Sequence, residues 1–246
     1  MNKPKRIATL LVLALFQMQL FSQEAITGNI PDWSLGSGEV VTGLTKPIVV
    51  GSVDQGGNFS ISLKPDFMET IKKEVEAQDS RPSRGWSSSL MTLEQVFSCY
   101  GDSLQVVNGD QPVTRMTTMG VFNLVNMEEK KRLGYLLAAS SQPFASGIME
   151  MGGFNFQEGY ILDWIFVDEA GSVKGSCSTD SYAVNQEENF SRQVSYNLSL
   201  KPGWNLIKYE ISKLFTDREG KTYPMDESYS SLSRTPEDFM FVFVPE

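Results

Sequence analysis

Histidine is absent from the whole chain of 246 residues, and this absence excludes more chemistry than any other feature of the composition. A Ser-His-Asp or Cys-His catalytic unit needs an imidazole as its base near neutral pH. Zinc and copper sites built on imidazole ligands are excluded for the same reason, and two cysteines cannot complete a structural zinc site. The pair Gly56-Gly57 lacks the lysine of a phosphate-binding loop. The sequence therefore predicts no metal ion and no cofactor.

Cysteine is almost as scarce, since Cys99 and Cys177 are the only two. In an oxidising compartment they can form a disulfide. Such a bond would close a loop of nearly eighty residues and stabilise the fold by about 4 kcal/mol in the chain-entropy model. Two separate buried thiols are the alternative, and the sequence leaves both open.

Positive charge is under-represented, with 21 Lys and Arg residues against 30 Asp and Glu residues and a formal net charge of −9. Three of the positive charges lie in residues 1–22, which contain no acidic residue, so the remainder of the chain carries about −12. A chain this acidic, without a basic cluster, is repelled by phosphate backbones and anionic lipid surfaces. The charge therefore predicts that nucleic acid is not a partner.

A single long apolar run, Ile7–Phe21, follows the three basic residues at the start of the chain. A basic start, a short apolar centre and a polar exit are typical of a secretory signal peptide. About fifteen residues at 1.5 Å each are too few to cross a bilayer core of about 30 Å. We therefore expect a signal peptide over residues 1–22 and a secreted or periplasmic mature protein without a membrane span. An N-terminal membrane anchor is the alternative.

The mature chain is rich in short apolar bursts separated by glycine, proline and asparagine, which favours strands over helices. Phe59, Ile61 and Leu63 alternate with serines, the pattern of a strand with one buried face. Residues 65–77 instead show apolar side chains at helical spacing after a proline, which predicts one amphipathic helix. Thr92 and Gln95 form a capping-box pattern at the start of a second, short helical turn.

Beyond Gly101 the chain reads as a series of hairpins. Strands are predicted at Leu104–Val107, Arg115–Val125, Leu133–Ala139, Tyr160–Val167, Val173–Ser178, Val194–Leu200, Trp204–Ile211 and Phe239–Val244. The last of these runs is apolar on both faces, so we expect it to be an inner strand. We predict an all-β fold of antiparallel β-sandwich type, with the short helix between an N-terminal β region (23–100) and a larger C-terminal sandwich (101–246).

Part of the N-terminal region resembles a known family. The stretch Asp54–Ile61 carries the pattern Asp-x-x-Gly-x-Phe-Ser-Ile, through Asp54, Gly57, Phe59, Ser60 and Ile61, and Ile26–Gly28 supplies an earlier Ile-x-Gly. Residues 25–63 therefore resemble the start of a carboxypeptidase-regulatory-like (transthyretin-like) domain of secreted bacterial proteins. The resemblance implies a β-sandwich accessory module without catalysis. It ends where the chain turns helical, and no site residue of the family is carried over. The step Gly203-Trp204-Asn205 also looks like exported bacterial β-sandwich proteins of unassigned function.

Asp163 is the most informative candidate for a site residue. It lies between Leu162 and Trp164 in a predicted strand and shares a face with Ile161 and Ile165. A carboxylate among hydrophobic side chains has a raised pKa unless it is paired, and such residues concentrate at functional sites. A strand face open to solvent, or a hydrogen bond to a neighbouring loop, is the alternative.

Two tryptophans, Trp33 and Trp86, are predicted to lie in loops, where binding residues collect. Their rings are candidates for stacking on a sugar, and a cover over an exposed edge of the core is the alternative. Trp164 and Trp204 follow strand patterns and are expected in the core.

These features favour an exported protein of the bacterial cell envelope that is not an enzyme. We expect it to bind a carbohydrate or another envelope protein, or to act as a structural accessory.

One alternative is a hydrolase such as a glycosidase, which needs only two carboxylates. Its candidates in or near strands are Asp163, Asp168, Glu169 and Glu158. A carrier of an apolar ligand is the other alternative, suggested by eleven methionines and fifteen phenylalanines. Nothing in the pattern predicts an oligomeric state.

Overall fold

The computed structural model describes residues 25–42, 47–79, 89–99, 104–117, 120–150 and 154–246. Strands dominate these residues, so the prediction of an all-β protein is confirmed. In chain order the strands are β1 (Ala25–Asn29), β2 (Gly38–Thr42), β3 (Ile48–Val53), β4 (Asn58–Ser62), β5 (Gln105–Val107), β6 (Val113–Arg115), β7 (Val121–Asn126), β8 (Lys131–Ala139), β9 (Gly159–Val167), β10 (Gly171–Tyr182), β11 (Asn189–Leu200), β12 (Gly203–Thr216), β13 (Thr222–Leu232) and β14 (Met240–Pro245). The helices are α1 (Phe67–Asp79), α2 (Leu93–Val96) and α3 (Gln142–Met149).

The fourteen described strands form one hydrogen-bonded sheet, which narrows to a single residue pair between β8 and β9 and so divides into two halves of seven strands, here called the first and second sheets. The first sheet has the order β1-β4-β3-β2-β7-β8-β14, and the second sheet has the order β6-β9-β12-β13-β11-β10-β5. Between them, the described register pairs β8 with β9 at Ala139 and Ile161. The ladders between described strands are antiparallel except for β11 and β13, which run parallel from Gln193–Asp226 to Asn197–Ser230.

The main core lies between the first sheet and one face of the second sheet. Ile61, Phe122 and Leu136 from the first sheet pack in one cluster with Leu162 and Trp164 of β9. This cluster draws on both sides of the predicted boundary at residue 100, and β2 pairs with β7 across it. The division of the mature chain at residue 100 stays a prediction.

A second core occupies the opposite face of β9. There Ile165 and Val167 pack with Leu198 of β11, Ile207 of β12 and Phe97, which follows α2. Residues 160–167 of β9 are therefore all buried, which explains the nearly continuous apolar run in this strand. Because β9 lies between two cores, a polar side chain in this strand has little access to water and needs partners within the protein.

The helices cover the ends and faces of the sheets. In α1, Phe67 and Met68 are buried and the Phe67 ring lies 5.1 Å from that of Trp204. The predicted capping box of α2 is present, because Thr92 accepts from the Gln95 backbone and the Gln95 side chain accepts from Thr92. The sequence did not predict α3, a short helix capped by Ser141.

The prediction that the last strand is an inner strand is wrong. Among the described residues β14 pairs with β8 alone, and Val242 is its one buried residue. Its alternate side chains explain the apolar run: Phe241 packs edge-on against Phe59 of the main core, while Val242 and Val244 pack beside α3. An edge strand between a core and a helix needs apolar residues on both faces.

The signal-peptide prediction for residues 1–22 and the candidate Trp86 both lie outside the described residues. Within the part of the chain that is described, no helix combines the length and apolar character needed to cross a bilayer.

Candidate functional site

The site begins with Asp163, which lies at the centre of β9 and faces the second core. Its neighbours on this face are Ile161 and Ile165, as the alternation of the strand indicates, and only 7 % of the residue is exposed. A carboxylate in such surroundings must have polar partners or lose its charge.

Two side chains from the segment beside β9 reach the Asp163 carboxylate. Thr117 donates a hydrogen bond from Oγ1 to Oδ1 over 3.2 Å. Arg115 lies opposite Ile165 in the β6–β9 ladder, which directs its side chain to the same face, and its Nε is 3.7 Å from Oδ2. That distance is too long for a hydrogen bond. The Nε atom is buried and has no acceptor among the described residues.

The electrostatics of Asp163 are dominated by its burial. Burial raises the pKa of its carboxyl group above the usual value of 3.8, and the Arg115 charge, the hydrogen bond from Thr117 and those from the backbone of Trp164 and Gly120 oppose the shift only in part. The Arg115 guanidinium is itself held over the Phe97 ring, 5.5 Å from its centroid. Phe97 therefore helps to hold Arg115 near Asp163, although the two side chains do not form a hydrogen bond through Nε and Oδ2.

A second buried carboxylate lies deeper in the same sheet and is fully paired. Glu227 of β13 has a side chain that is 1 % exposed. Arg192 of β11 binds it with both arms of its guanidinium, through Nε to Oε1 and through Nη2 to Oε2 at 2.9 Å. Tyr209 of β12 donates its hydroxyl to Oε2. Glu227 thus accepts three hydrogen bonds from side chains of neighbouring strands and is almost fully shielded from solvent.

The tyrosines beside this pair are hydrogen-bond donors at neutral pH. Burial raises the pKa of Tyr209, and the charge of Glu227 adds to the effect. Burial and the same carboxylate raise the pKa of Tyr229 to about 12. Tyr229 lies 4.9 Å from Tyr209 between ring centroids and stacks on Tyr196 at 5.4 Å, so three tyrosine rings form a continuous wall.

A cavity lies beside the Arg115–Asp163 pair, and we call it the β9 pocket. It is lined by Phe97, Arg115, Ile161, Asp163, Ile207, Tyr209 and Tyr229. The centre of a water-sized group can occupy about 20 Å³ within it, which is room for one such group. The Arg115 side chain, one of the groups that line this space, is 27 % exposed.

The disulfide between Cys99 and Cys177 fixes one wall of the β9 pocket. Its Cα atoms are 5.8 Å apart, and it joins the segment after α2 to β10. Phe97 lies two residues before Cys99, and the Tyr196 hydroxyl donates to the Ser98 carbonyl oxygen over 3.3 Å. The short α2 segment is thereby held against the second sheet.

Trp33 does not line the β9 pocket that contains Asp163. It is half-buried, packs edge-on against Phe243 at 5.1 Å, and donates its indole N–H to the Gly36 carbonyl oxygen. It contacts the main core, on the other side of β9 from the pocket. This position matches the alternative of a cover over the core edge.

The other carboxylates suggested for a hydrolase are not gathered around Asp163. Asp168, Glu169 and Glu158 are exposed, and Asp168 pairs with Lys72 at 3.0 Å. Among the residues that line the β9 pocket, Asp163 is the one carboxylate. Two carboxylates facing one bond, as glycoside hydrolysis requires, are therefore not part of this arrangement.

The turn at Asp54 uses its carboxylate for its own structure. Oδ1 accepts hydrogen bonds from the backbone N–H groups of Gly56 and Asn58, and the Asn58 side chain binds both oxygens. These bonds, that of the Asn58 side chain foremost, lower the pKa of Asp54. Within the described residues no three acidic or cysteine side chains come close enough to share a metal ion.

Sequence reasoning missed most of the residues around Asp163. Arg115 stands at the start of a predicted strand, and a basic residue at alternate spacing from Val113 was a usable signal. Glu227 and Tyr229 lie in β13, where serines, charges and a proline hide the strand pattern. Their approach to Tyr209 follows from the order of strands in the sheet, which local periodicity does not contain.

No protein-family model, no curated protein and no solved structure matches this chain. The fold and the site define it as an all-β protein with a small, largely aromatic and aliphatic pocket beside the Arg115–Asp163 pair.

Proposed function

We propose that this chain is an exported, non-enzymatic binding protein of the bacterial cell envelope and that its ligand enters the β9 pocket. The observation that carries the proposal is the Arg115–Asp163 pair. Its two charged groups are held 3.7 Å apart beside a cavity, with a buried N–H that meets no acceptor in the described part of the chain. Polar groups that converge on an aromatic-lined concavity are the usual composition of a ligand site.

Binding is favoured over hydrolysis by the state of the two buried carboxylates. Glu227 is 1 % exposed and accepts hydrogen bonds from Arg192 and Tyr209, so its carboxylate is not presented to a ligand at the surface. Asp163 has a raised pKa, but the lining of the pocket supplies no second carboxylate to act with it. A glycosidase needs both roles on opposite sides of the bond.

The dimensions of the β9 pocket favour a surface-bound ligand over an enclosed apolar one. Its interior accepts one water-sized group, whereas pockets that enclose small-molecule ligands measure about 300–1,000 Å³. The proposed ligand therefore places one group inside and keeps the rest at the surface.

Export is part of the proposal and rests on three features. Residues 1–22 have the pattern of a signal peptide, the chain is acidic, and Cys99 and Cys177 form a disulfide of the kind that persists outside the cytosol. A carbohydrate or a segment of another envelope protein then becomes the available ligand.

The test is a glycan array probed with protein purified after export from a bacterial host. We expect the protein to bind a subset of glycans and the variant Arg115→Lys to lose that binding. The matched control is Arg132→Lys, because Arg132 also lies over an aromatic ring, Tyr135 at 5.6 Å, and beside a carboxylate, Glu246 at 3.4 Å, but outside the pocket.

Mass spectrometry of the bound glycans after prolonged incubation tests the absence of catalysis. Glycans of unchanged mass support a binding protein. Shortened glycans, produced by wild-type protein and not by Asp163→Asn, would replace this proposal with the hydrolase.

A further inference from the structure

We infer that the β9 pocket recognises one hydroxyl group of a neutral sugar, whose oxygen accepts a hydrogen bond from Arg115 Nε and donates one to Asp163 Oδ2. The inference rests on the proposed function and adds the chemical class of the ligand. It is carried by the separation of the Arg115–Asp163 pair, by the shape of the cavity next to it, and by the rings around it.

The separation of the pair leaves the N–H at Arg115 Nε open to a third group. Nε carries one hydrogen, is buried, and meets no acceptor among the described residues. Oδ2 lies 3.7 Å away, beyond hydrogen-bond distance. A polar contact of this length is commonly bridged by an oxygen that is a donor and an acceptor at once. An oxygen at hydrogen-bond distance from both Arg115 Nε and Asp163 Oδ2 would lie beside the line that joins these two atoms, and not between them.

A hydroxyl is the group that satisfies both atoms. It accepts from the N–H of Arg115 and donates to the carboxylate of Asp163, whereas a carboxylate or phosphate oxygen has no hydrogen to donate and an ammonium has no lone pair. The charges of the pair compensate each other, so the pair offers a charged ligand group no net attraction to offset the cost of its desolvation. The ligand group is therefore neutral.

The size and walls of the cavity identify the rest of the ligand. Its interior accepts one water-sized group, so only one hydroxyl enters. The buried Phe97 and the partly buried Tyr229 line that position, and Tyr196, also partly buried, stacks on Tyr229 beside the pocket. Carbon-bound hydrogens of a sugar ring fit aromatic rings of this kind, while a simple alcohol would use the polar pair alone.

A crystal structure of the exported protein at high resolution tests the geometry first. We expect an ordered oxygen within hydrogen-bond distance of both Arg115 Nε and Asp163 Oδ2, contributed by solvent in the free protein and by the sugar after soaking with a methyl glycoside. A direct hydrogen bond between Arg115 and Asp163, with no third oxygen, would overturn the inference.

Saturation-transfer NMR tests the ligand class with defined probes. The neutral probes are methyl α-glucoside, methyl α-mannoside and methyl β-galactoside, and the charged ones are glucuronic acid and glucosamine. We expect at least one neutral glycoside to bind about tenfold more tightly than either charged sugar, and Arg115→Lys to weaken that binding about tenfold. Arg132→Lys should bind as wild type does.

The outcomes separate the inference from the function on which it rests. Preference for glucuronic acid that depends on Arg115 would overturn the hydroxyl assignment and leave the pocket as a binding site. The absence of an Arg115-dependent signal from every neutral glycoside also overturns the inference. Capture of an envelope protein at the pocket, lost in Arg115→Lys, would keep the proposed function and replace the sugar. Turnover of any glycoside would overturn the proposed function itself.

Discussion

At the scale of residues, the two members of the Arg192–Glu227 pair differ in their exposure to solvent. Arg192 is about half-exposed, while its partner Glu227 is almost fully buried. Removing one member of a buried pair leaves the other uncompensated, and the penalty falls on the member that cannot reach water. The stability of the second sheet is therefore more sensitive to the arginine than to the carboxylate.

This asymmetry gives a prediction for Arg192→Met and Glu227→Gln. The first variant strands a buried carboxylate and should lower the free energy of unfolding by about 3 kcal/mol. The second keeps the hydrogen bond from Tyr209 and leaves Arg192 free to turn to solvent, so it should cost about 1 kcal/mol. Urea denaturation of both variants measures the difference. Equal losses, or a larger loss for Glu227→Gln, would contradict the described burial of this pair.

Asp163 predicts a pH dependence of stability. Because burial raises the pKa of its carboxyl group in the folded state, the folded protein holds this proton more tightly than the unfolded chain does. The contribution of Asp163 is therefore fully present below the usual value of 3.8 and is lost as the pH rises through the raised pKa.

The measurement compares wild type with Asp163→Asn, which cannot titrate at this position. The stability of wild type relative to the variant should increase as the pH is lowered from neutral toward about 4. Other carboxyl groups titrate in both proteins and cancel in the difference. A difference that stays constant, or that falls with acidification, would show that Asp163 is not held in the surroundings described.

Gly120 is a position where side-chain size should matter near Asp163. Its φ is +76°, and an added Cβ would lie 2.7 Å from the Leu162 carbonyl oxygen. Gly220 has a similar φ of +82° but nothing within 4 Å of such a Cβ. Gly220→Ala should therefore cost only the backbone penalty of about 1 kcal/mol, and Gly120→Ala about 3 kcal/mol because the contact adds to it. Equal unfolding midpoints in urea would contradict the close approach of Gly120 to β9.

At the scale of elements, the predictable strands are those whose apolar pattern is local. The prediction for β9 over residues 160–167 agrees with the structure because its side chains are buried on both faces. The capping box at Thr92 was also predictable, since it needs only two residues three positions apart. In each case the signal and its cause lie within one short segment.

Elements whose conformation depends on pairing with segments distant in sequence were not predictable. Strand β13 contains Pro224, Asp226 and several serines, and it is a strand because it lies between β11 and β12. Its parallel pairing with β11 depends on the path of the whole chain. The candidate site was half predicted for the same reason: Asp163 could be found from its own strand, whereas Glu227 could not.

The disulfide gives a prediction at this scale. Cys99 and Cys177 are separated by 78 residues, so replacing both by serine should lower the free energy of unfolding by about 4 kcal/mol in the chain-entropy model. Because Phe97 lies in the segment that the bond holds, hydrogen exchange around Leu93 and Phe97 should accelerate more than in β9. An unchanged unfolding midpoint, or uniform exchange throughout, would show that the bond does not position this wall of the β9 pocket.

At the scale of the whole molecule, the two sides of β9 have different characters. The side shared with the first sheet is an apolar core of phenylalanines, aliphatic residues and tryptophan. The other side contains two ion pairs, three tyrosines and the β9 pocket. Charged groups carry a burial cost that an apolar core avoids. Their concentration on one side of the fold supports the proposal that this side has a function beyond stability.

The most direct test of that proposal is a calorimetric titration of the purified protein with a neutral glycoside selected on the glycan array. Three proteins are compared: wild type, Arg115→Lys inside the β9 pocket, and Arg132→Lys outside it. We predict that Kd rises about tenfold for Arg115→Lys and is unchanged for Arg132→Lys. Three equal Kd values would contradict the account, because the ligand would then be bound without the pair on which the pocket is built.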